Sequence, residues 1–236
     1  MAVVTGASSG VGRAIAIALA RQGVRLALIG RNPARLGQTI AEARRFSTAT
    51  EFLIDLALDE KVQSLIHHLN AEGGELDVLI HSAGIIHQGT LEHAPIEDLD
   101  RQYVSNVRVP YSLTKALLPL LIKAAGQVVF INSSAGLSAK RPEVGQYAAT
   151  KHALKAIADS LREEVNPKGI KVLTIYLGRT ATPMQEALFQ QSGGDYQPGT
   201  LLQADDVASI VVHSLKLPPT AEVTDISVRP MMKPAL

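Results

Sequence analysis

Short runs of successive apolar, largely β-branched residues alternate with helical patterns along the whole chain, and this alternation is the tightest constraint on its fold. Strands are predicted at residues 2–5, 25–29, 51–54, 76–80, 127–132, 171–177 and 225–229. Val78-Leu79-Ile80 and Val128-Val129-Phe130-Ile131 are apolar on consecutive positions. Such runs suit strands covered on both faces, as in a parallel sheet between helix layers. Helices are predicted at 11–22, from Pro33 after a capping Asn32, at 58–71, across 95–123 (long enough for two), at 147–165 and at 204–215. Strand–helix alternation of this kind winds into a doubly wound α/β sheet with right-handed crossovers. No repeat or linker divides the chain. The expectation is one domain over residues 1–236, with about seven parallel strands and helices on both faces. The least regular stretch, 178–203, is long enough to serve as a lid over a substrate.

Composition narrows the function. The chain has 236 residues, a formal net charge of +1 and no cysteine. Interleaved acids and bases give no basic face for nucleic acid. Without cysteine there are no disulfides, thiolate metal sites or cysteine nucleophiles. The seven histidines lack metal-ligand spacing, so no metal is expected. The richest apolar stretch, 116–131, is interrupted by Pro119, Lys123 and Gly126, and no run reaches the ~18 residues of a membrane span. No secretory signal pattern opens the sequence. A soluble cytoplasmic protein is expected.

After the first strand comes Thr5-Gly6-Ala7-Ser8-Ser9-Gly10-Val11-Gly12. Gly6 to Gly10 fits G-x-S-x-G, the nucleophile elbow of a hydrolase. The same residues fit a glycine turn that opens a helix N-terminus to phosphate. An elbow needs a later acid and histidine and normally follows several strands. The turn needs only the first strand–helix junction of a doubly wound sheet, which is where the motif lies. On that reading Gly6 allows the tight turn, Gly10 the approach of a pyrophosphate and Gly12 close helix–strand packing. Ser8 and Ser9 are placed to cap free amides or bond phosphate oxygens. The fold is then of Rossmann type.

Tyr147-Ala148-Ala149-Thr150-Lys151 sets Tyr147 and Lys151 one turn apart on a helix. Ser133-Ser134 follows the strand at 127–132, and Asn106 lies in the helical stretch before it. With the glycine turn, this set resembles the short-chain dehydrogenase/reductase family, whose motifs are TGxxxGxG, an Asn in the fourth crossover, a Ser and YxxxK. Ser134 stands thirteen residues before Tyr147, the usual family spacing. The chain departs from the family at His81-Ser82-Ala83-Gly84, where NNAG is usual, and at Leu177-Gly178, where PG is usual.

The resemblance implies an oxidoreductase that interconverts a carbonyl and a secondary alcohol. Tyr147 would exchange the proton, its pKa lowered by Lys151 together with the positive nicotinamide ring of the oxidised cofactor, and Lys151 would also bond the nicotinamide ribose. Ser134 would orient the substrate oxygen, and Asn106 would hold a water linking Lys151 to solvent. The cofactor would lie along Gly6, Ser8, Ser9, Gly10, Val11 and Gly12, with Asp55 and Leu56 at the adenine. Ala83 and Gly84 would line it through backbone, Gly178 would also bind it, and Thr182 would lie near the nicotinamide carboxamide. The second strand ends without the acid that holds an NAD ribose, and Arg31, with Ser8 or Asn32, can clamp a 2′-phosphate. NADP(H) is therefore favoured over NAD(H). A small-molecule ketone or alcohol is the expected partner, largely apolar, although Arg179 leaves room for a 3-hydroxy acid. A homodimer or homotetramer through the 110–123 and 148–165 helices is also implied. The rival reading is a catalytically idle dinucleotide-binding redox sensor or subunit.

Overall fold

The computed structural model describes residues 1–57 and 59–232, and the predicted helix start at Leu58 lies outside them. Seven strands form one sheet: β1 Ala2–Thr5, β2 Leu26–Gly30, β3 Ala49–Leu53, β4 Val78–His81, β5 Gln127–Ser133, β6 Lys171–Leu177 and β7 Asp225–Val228. Their order is β3-β2-β1-β4-β5-β6-β7, and every pair is parallel. The helices between them are α1 Gly10–Ala20, α2 Pro33–Ala43, α3 Asp59–Ala71, α4 Ile96–Tyr103, α5 Val109–Ala124, α6 Gly145–Val165, α7 Pro183–Gln191 and α8 Ala204–Leu215.

Two apolar layers hold the helices to the sheet. Ile15 of α1, Leu36 of α2 and Val211 of α8 pack with Val4 and Leu28 on one face. Leu65 of α3, Leu113 of α5 and Leu154 of α6 pack with Leu79 and Phe130 on the other. The consecutive apolar residues of β4 and β5 thus feed both layers alternately, as a strand covered on both faces must. Each large side chain moved fully from water contributes about 1.5–3 kcal/mol.

The winding direction reverses between β1 and β4, since β1 pairs with β2 on one side and β4 on the other. A doubly wound sheet opens its ligand crevice at the carboxyl ends of the strands beside such a reversal. The turn at Gly6–Gly12 leaves the end of β1, and Ser82–Gly84 leaves the end of β4. Both therefore sit at the crevice mouth.

Two stretches differ from the sequence expectation. The 95–123 region is a single rod interrupted by a π-helical turn, Val104–Arg108, between α4 and α5. The 178–203 segment is not wholly irregular, because α7 lies inside it. Thr182 accepts a hydrogen bond from the Gln185 amide, and Pro183 occupies the first turn. That cap, with Glu186 nearby, was a readable start signal.

Candidate active site

The turn after β1 is built for close approach. Gly6 has φ +68°, and a Cβ there would lie 2.9 Å from the Ala83 backbone. A Cβ on Gly12 would lie 2.4 Å from the Gly6 carbonyl oxygen, so only glycine lets α1 start against the turn. Thr5 joins this turn to the β4 loop: its hydroxyl accepts from the Ser82 and Ala83 amides at 3.0 and 3.1 Å. It also donates to the Ile80 carbonyl at 3.2 Å. The loop with His81-Ser82 in place of two asparagines is therefore held by a threonine that sequence reasoning passed over.

Ser9 precedes α1 in an extended conformation with no side-chain cap bond, and the first turn carries no acid. The leading amides are left for an external anion, at the positive end of the helix dipole. From this cradle a continuous cavity of about 1020 Å³ runs in two directions. One way it passes Ser8, Val11, Arg31, Asn32, Asp55 and Leu56, and the other way it passes Ala83, Gly84, Ser133, Ser134, Tyr147, Lys151, Gly178 and Thr182. Asn32 caps α2 by accepting from the Arg35 amide at 2.9 Å, so its side-chain oxygen is already used. Asp55 similarly accepts from the Ala57 amide at 3.1 Å. Thr182 reaches across the cavity rim, and a Cβ on Gly10 would sit 3.0 Å from its Cγ2.

Tyr147 and Lys151 lie together on the wall. The Lys151 Nζ is 5.8 Å from the Tyr147 ring centroid and donates to the Ile131 carbonyl at 3.3 Å. Burial raises the Tyr147 pKa to about 12, opposed by a side-chain hydrogen bond with Ser133. Burial lowers Lys151 to about 8. In the protein alone, loss of hydration is the largest influence on the phenol, whereas the expected depression counts on the oxidised nicotinamide as well as on Lys151.

The hydroxyl that meets Tyr147 belongs to Ser133, not Ser134. β5 runs one residue past its predicted end, through Ser133, which pairs with Leu177 of β6. Ser134 begins a 3₁₀ turn and is exposed at the cavity edge. Adjacent strand residues face opposite sides, so this one-residue difference exchanges the two hydroxyls. Ser133 also accepts from the Ala135 amide at 3.2 Å, which fixes its rotamer.

Asn106 is not on the cavity wall. It is fully buried in the π-helical turn, with Nδ2 donating to the Ile85 carbonyl (2.9 Å) and the Thr150 hydroxyl (3.1 Å). Its Oδ1 accepts from the Ile85 amide at 2.9 Å. The side chain thus positions the loop after β4 against α6. Residue 110 is proline and has no amide to offer the Asn106 carbonyl in the i+4 position. Asn132, also unforeseen, does the same work on the other side, donating to the Lys151 carbonyl at 3.1 Å and accepting from the Ser133 amide at 2.8 Å.

Beyond Tyr147 the cavity is walled by the β5–α6 loop and by α7, with Arg141, Val144, Arg179, Met184 and Leu188. The Arg179 guanidinium lies over the Phe189 ring at 5.6 Å. No group of three or more potential metal ligands occurs among the described residues.

The comparisons agree with this geometry. The short chain dehydrogenase family model matches residues 1–193. An uncharacterized oxidoreductase of Staphylococcus epidermidis is 31% identical over 237 residues, covering 98% of this chain and 97% of the relative. An alcohol dehydrogenase from the archaeon Thermococcus sibiricus, complexed with 5-hydroxy-NADP, superposes with a TM-score of 0.86 at 26% identity, covering 100% of this chain and 98% of that one. A short chain dehydrogenase from Burkholderia cenocepacia in complex with NADP gives 0.83 at 26% identity, with 96% and 95% covered. The chain is thus an oxidoreductase of the short-chain dehydrogenase family, with the family's Rossmann-like parallel sheet.

Proposed function

We propose that this protein interconverts a small-molecule carbonyl and the corresponding secondary alcohol with NADP(H), using Tyr147 as the proton donor and acceptor. The observation that carries the reading is the pairing of Tyr147 with Lys151 on the wall of the cavity that begins at the open amides of α1. A dinucleotide fits the residues present: the α1 cradle suits a pyrophosphate, and Arg31 suits a 2′-phosphate in the absence of an acid at the end of β2. The two NADP-bound relatives support the same cofactor. When bound, the nicotinamide would supply or accept the hydride.

The chain's own residues would manage the proton. At neutral pH the buried phenol of Tyr147 keeps its proton and can give it to a carbonyl oxygen that is gaining charge. Ser133 would hold that oxygen beside the phenol. Lys151, a cation below pH about 8, would stabilise the phenolate left behind. Asn106 and Asn132 would keep Lys151 and Ser133 in register from behind the wall. The segment 178–203, with α7 at its centre, would close over the substrate as a lid within a single catalytic domain.

The test is NADPH consumption, followed by nicotinamide absorbance, against a panel of ketones and keto acids. Turnover that vanishes in Tyr147→Phe supports the reading. Tight NADPH binding without turnover of any compound would instead favour the idle dinucleotide-binding subunit.

A further inference from the structure

Arg141 and Arg179 enter the cavity from different loops, one between β5 and α6 and the other between β6 and α7. Both loops leave the half of the sheet opposite β2, so neither arginine shares the Arg31 end of the cavity. The two are close enough for the Arg141 charge to add to burial in holding the Arg179 guanidinium below its ordinary pKa. Arg179 is only partly exposed and is held over the Phe189 ring, whose other neighbour is Tyr196 at 5.7 Å. Neither arginine has an ion pair among the described residues. Among the acids of this region, Asp195 accepts from Gln197 at 2.6 Å, the Glu186 charge acts on Tyr196, and Asp100 lines the cavity from α4. Lys140 lines the same region.

Two guanidinium groups lining one cavity without an ion-pair partner among the described residues repel each other. An oxyanion between them would convert the repulsion into charge-assisted hydrogen bonds, and the planar fork of arginine suits carboxylate and phosphate alike. We propose that Arg141 and Arg179 form an oxyanion clamp, and that the substrate is a carbonyl compound carrying a carboxylate or phosphate. This rests on the carbonyl-reducing reading of the same cavity, and it replaces the expected largely apolar substrate with an anionic one.

The experiment compares 2-, 3- and 4-oxo acids with their methyl esters, and dihydroxyacetone phosphate with dihydroxyacetone, by kcat/KM with NADPH. It uses the wild type, Arg141→Gln and Arg179→Gln, with circular dichroism and NADPH affinity checking that each variant is folded. The expected result is at least a tenfold preference for one anion over its neutral partner, and a fall of that ratio by at least tenfold in either variant. Preference for an oxo acid identifies carboxylate, and preference for the phosphate identifies phosphate. Equal or better use of every neutral partner, or a ratio the variants do not move, overturns the clamp while leaving carbonyl reduction intact. Calorimetry of the same anions on protein saturated with oxidised cofactor covers the case of no turnover. Binding weakened tenfold in Arg179→Gln would then sustain the clamp although the redox reading has failed, and no binding would overturn the clamp.

Discussion

The Lys151 ammonium sits 5.8 Å from the centre of the Tyr147 ring, one helical turn along α6, and its hydrogen bond goes to the Ile131 carbonyl. Burial acts on both groups in the same sense, favouring the neutral form, so the phenol pKa rises to about 12 and the ammonium pKa falls to about 8. The pair at neutral pH is a protonated phenol beside a cation. That is the state needed to deliver a proton to a carbonyl oxygen.

Tyr147→Phe should therefore abolish reduction while leaving NADPH affinity within a few-fold, because the cradle at α1 and Arg31 are untouched. Loss of one general acid costs roughly 10²–10⁴ in rate. A variant that keeps more than a tenth of the wild-type kcat would take the proton away from Tyr147.

Ser133→Ala and Ser134→Ala separate two neighbouring hydroxyls. Only Ser133 meets the phenol, and it also holds the Ala135 amide at 3.2 Å. Ser133→Ala should lower kcat by at least tenfold, and Ser134→Ala should leave it within threefold. The opposite order would restore the thirteen-residue spacing as the better guide.

That serine shows how far the sequence could be read. The seven strands and the two-sided sheet were legible because consecutive apolar residues and intervening helices repeat over the whole chain. The boundary of β5 was not, since Asn132 and Ser133 have no apolar pattern to say where pairing stops. A one-residue difference there changes which hydroxyl meets the phenol. Asn106 was found by motif, but its buried bonds to Ile85 and Thr150 depend on a π-helical turn that leaves no periodic trace. Thr5 and Asn132 work through long-range backbone contacts, which are likewise invisible before the fold is known.

Arg31→Asp should shift the ratio of kcat/KM from NADPH toward NADH by at least tenfold, by exchanging a 2′-phosphate partner for a ribose hydroxyl partner. An acid at Gly30 is the poorer test: a Cβ there would lie 3.2 Å from the Ser8 Cβ and 3.3 Å from a Leu36 methyl. An unchanged ratio in Arg31→Asp would show that the 2′ position is read elsewhere.

His81 should make the fold sensitive to acid. Its ring is buried, stacked on Phe130 at 4.9 Å, with Nε2 against the Thr114 hydroxyl at 2.8 Å and Nδ1 without a hydrogen-bond partner among the described residues. Burial lowers its pKa from 6.5 to about 3. Between those values the unfolded chain takes up a proton that the folded chain refuses, so stability falls as pH drops below about 6.5. The limiting slope is ~1.36 kcal/mol per pH unit. Urea midpoints from pH 7 to pH 5 should fall more steeply in the wild type than in His81→Asn, and parallel curves would remove His81 as the cause.

The last expectation concerns assembly. On α6, Leu154, Ala158 and Val165 are buried against the sheet, while Ala149 and Ala156 are exposed and Ala153 is half-buried. The small stripe is therefore not consumed by packing within its own chain. On α5, Tyr111 and Ile122 are also exposed, as are Ile96 and Tyr103 of α4. Small residues let another helix approach closely, and exposed large apolar residues beside them gain about 25 cal/mol for each Å² covered. A two-fold contact of α5 and α6 with the same helices of a second copy would cover both. Light scattering at micromolar concentration should accordingly give a dimer or tetramer mass. Ala156→Glu should reduce that mass without unfolding the chain, since residue 156 faces solvent in the single subunit. A wild-type monomer, or an assembly indifferent to Ala156→Glu, would place the contact elsewhere.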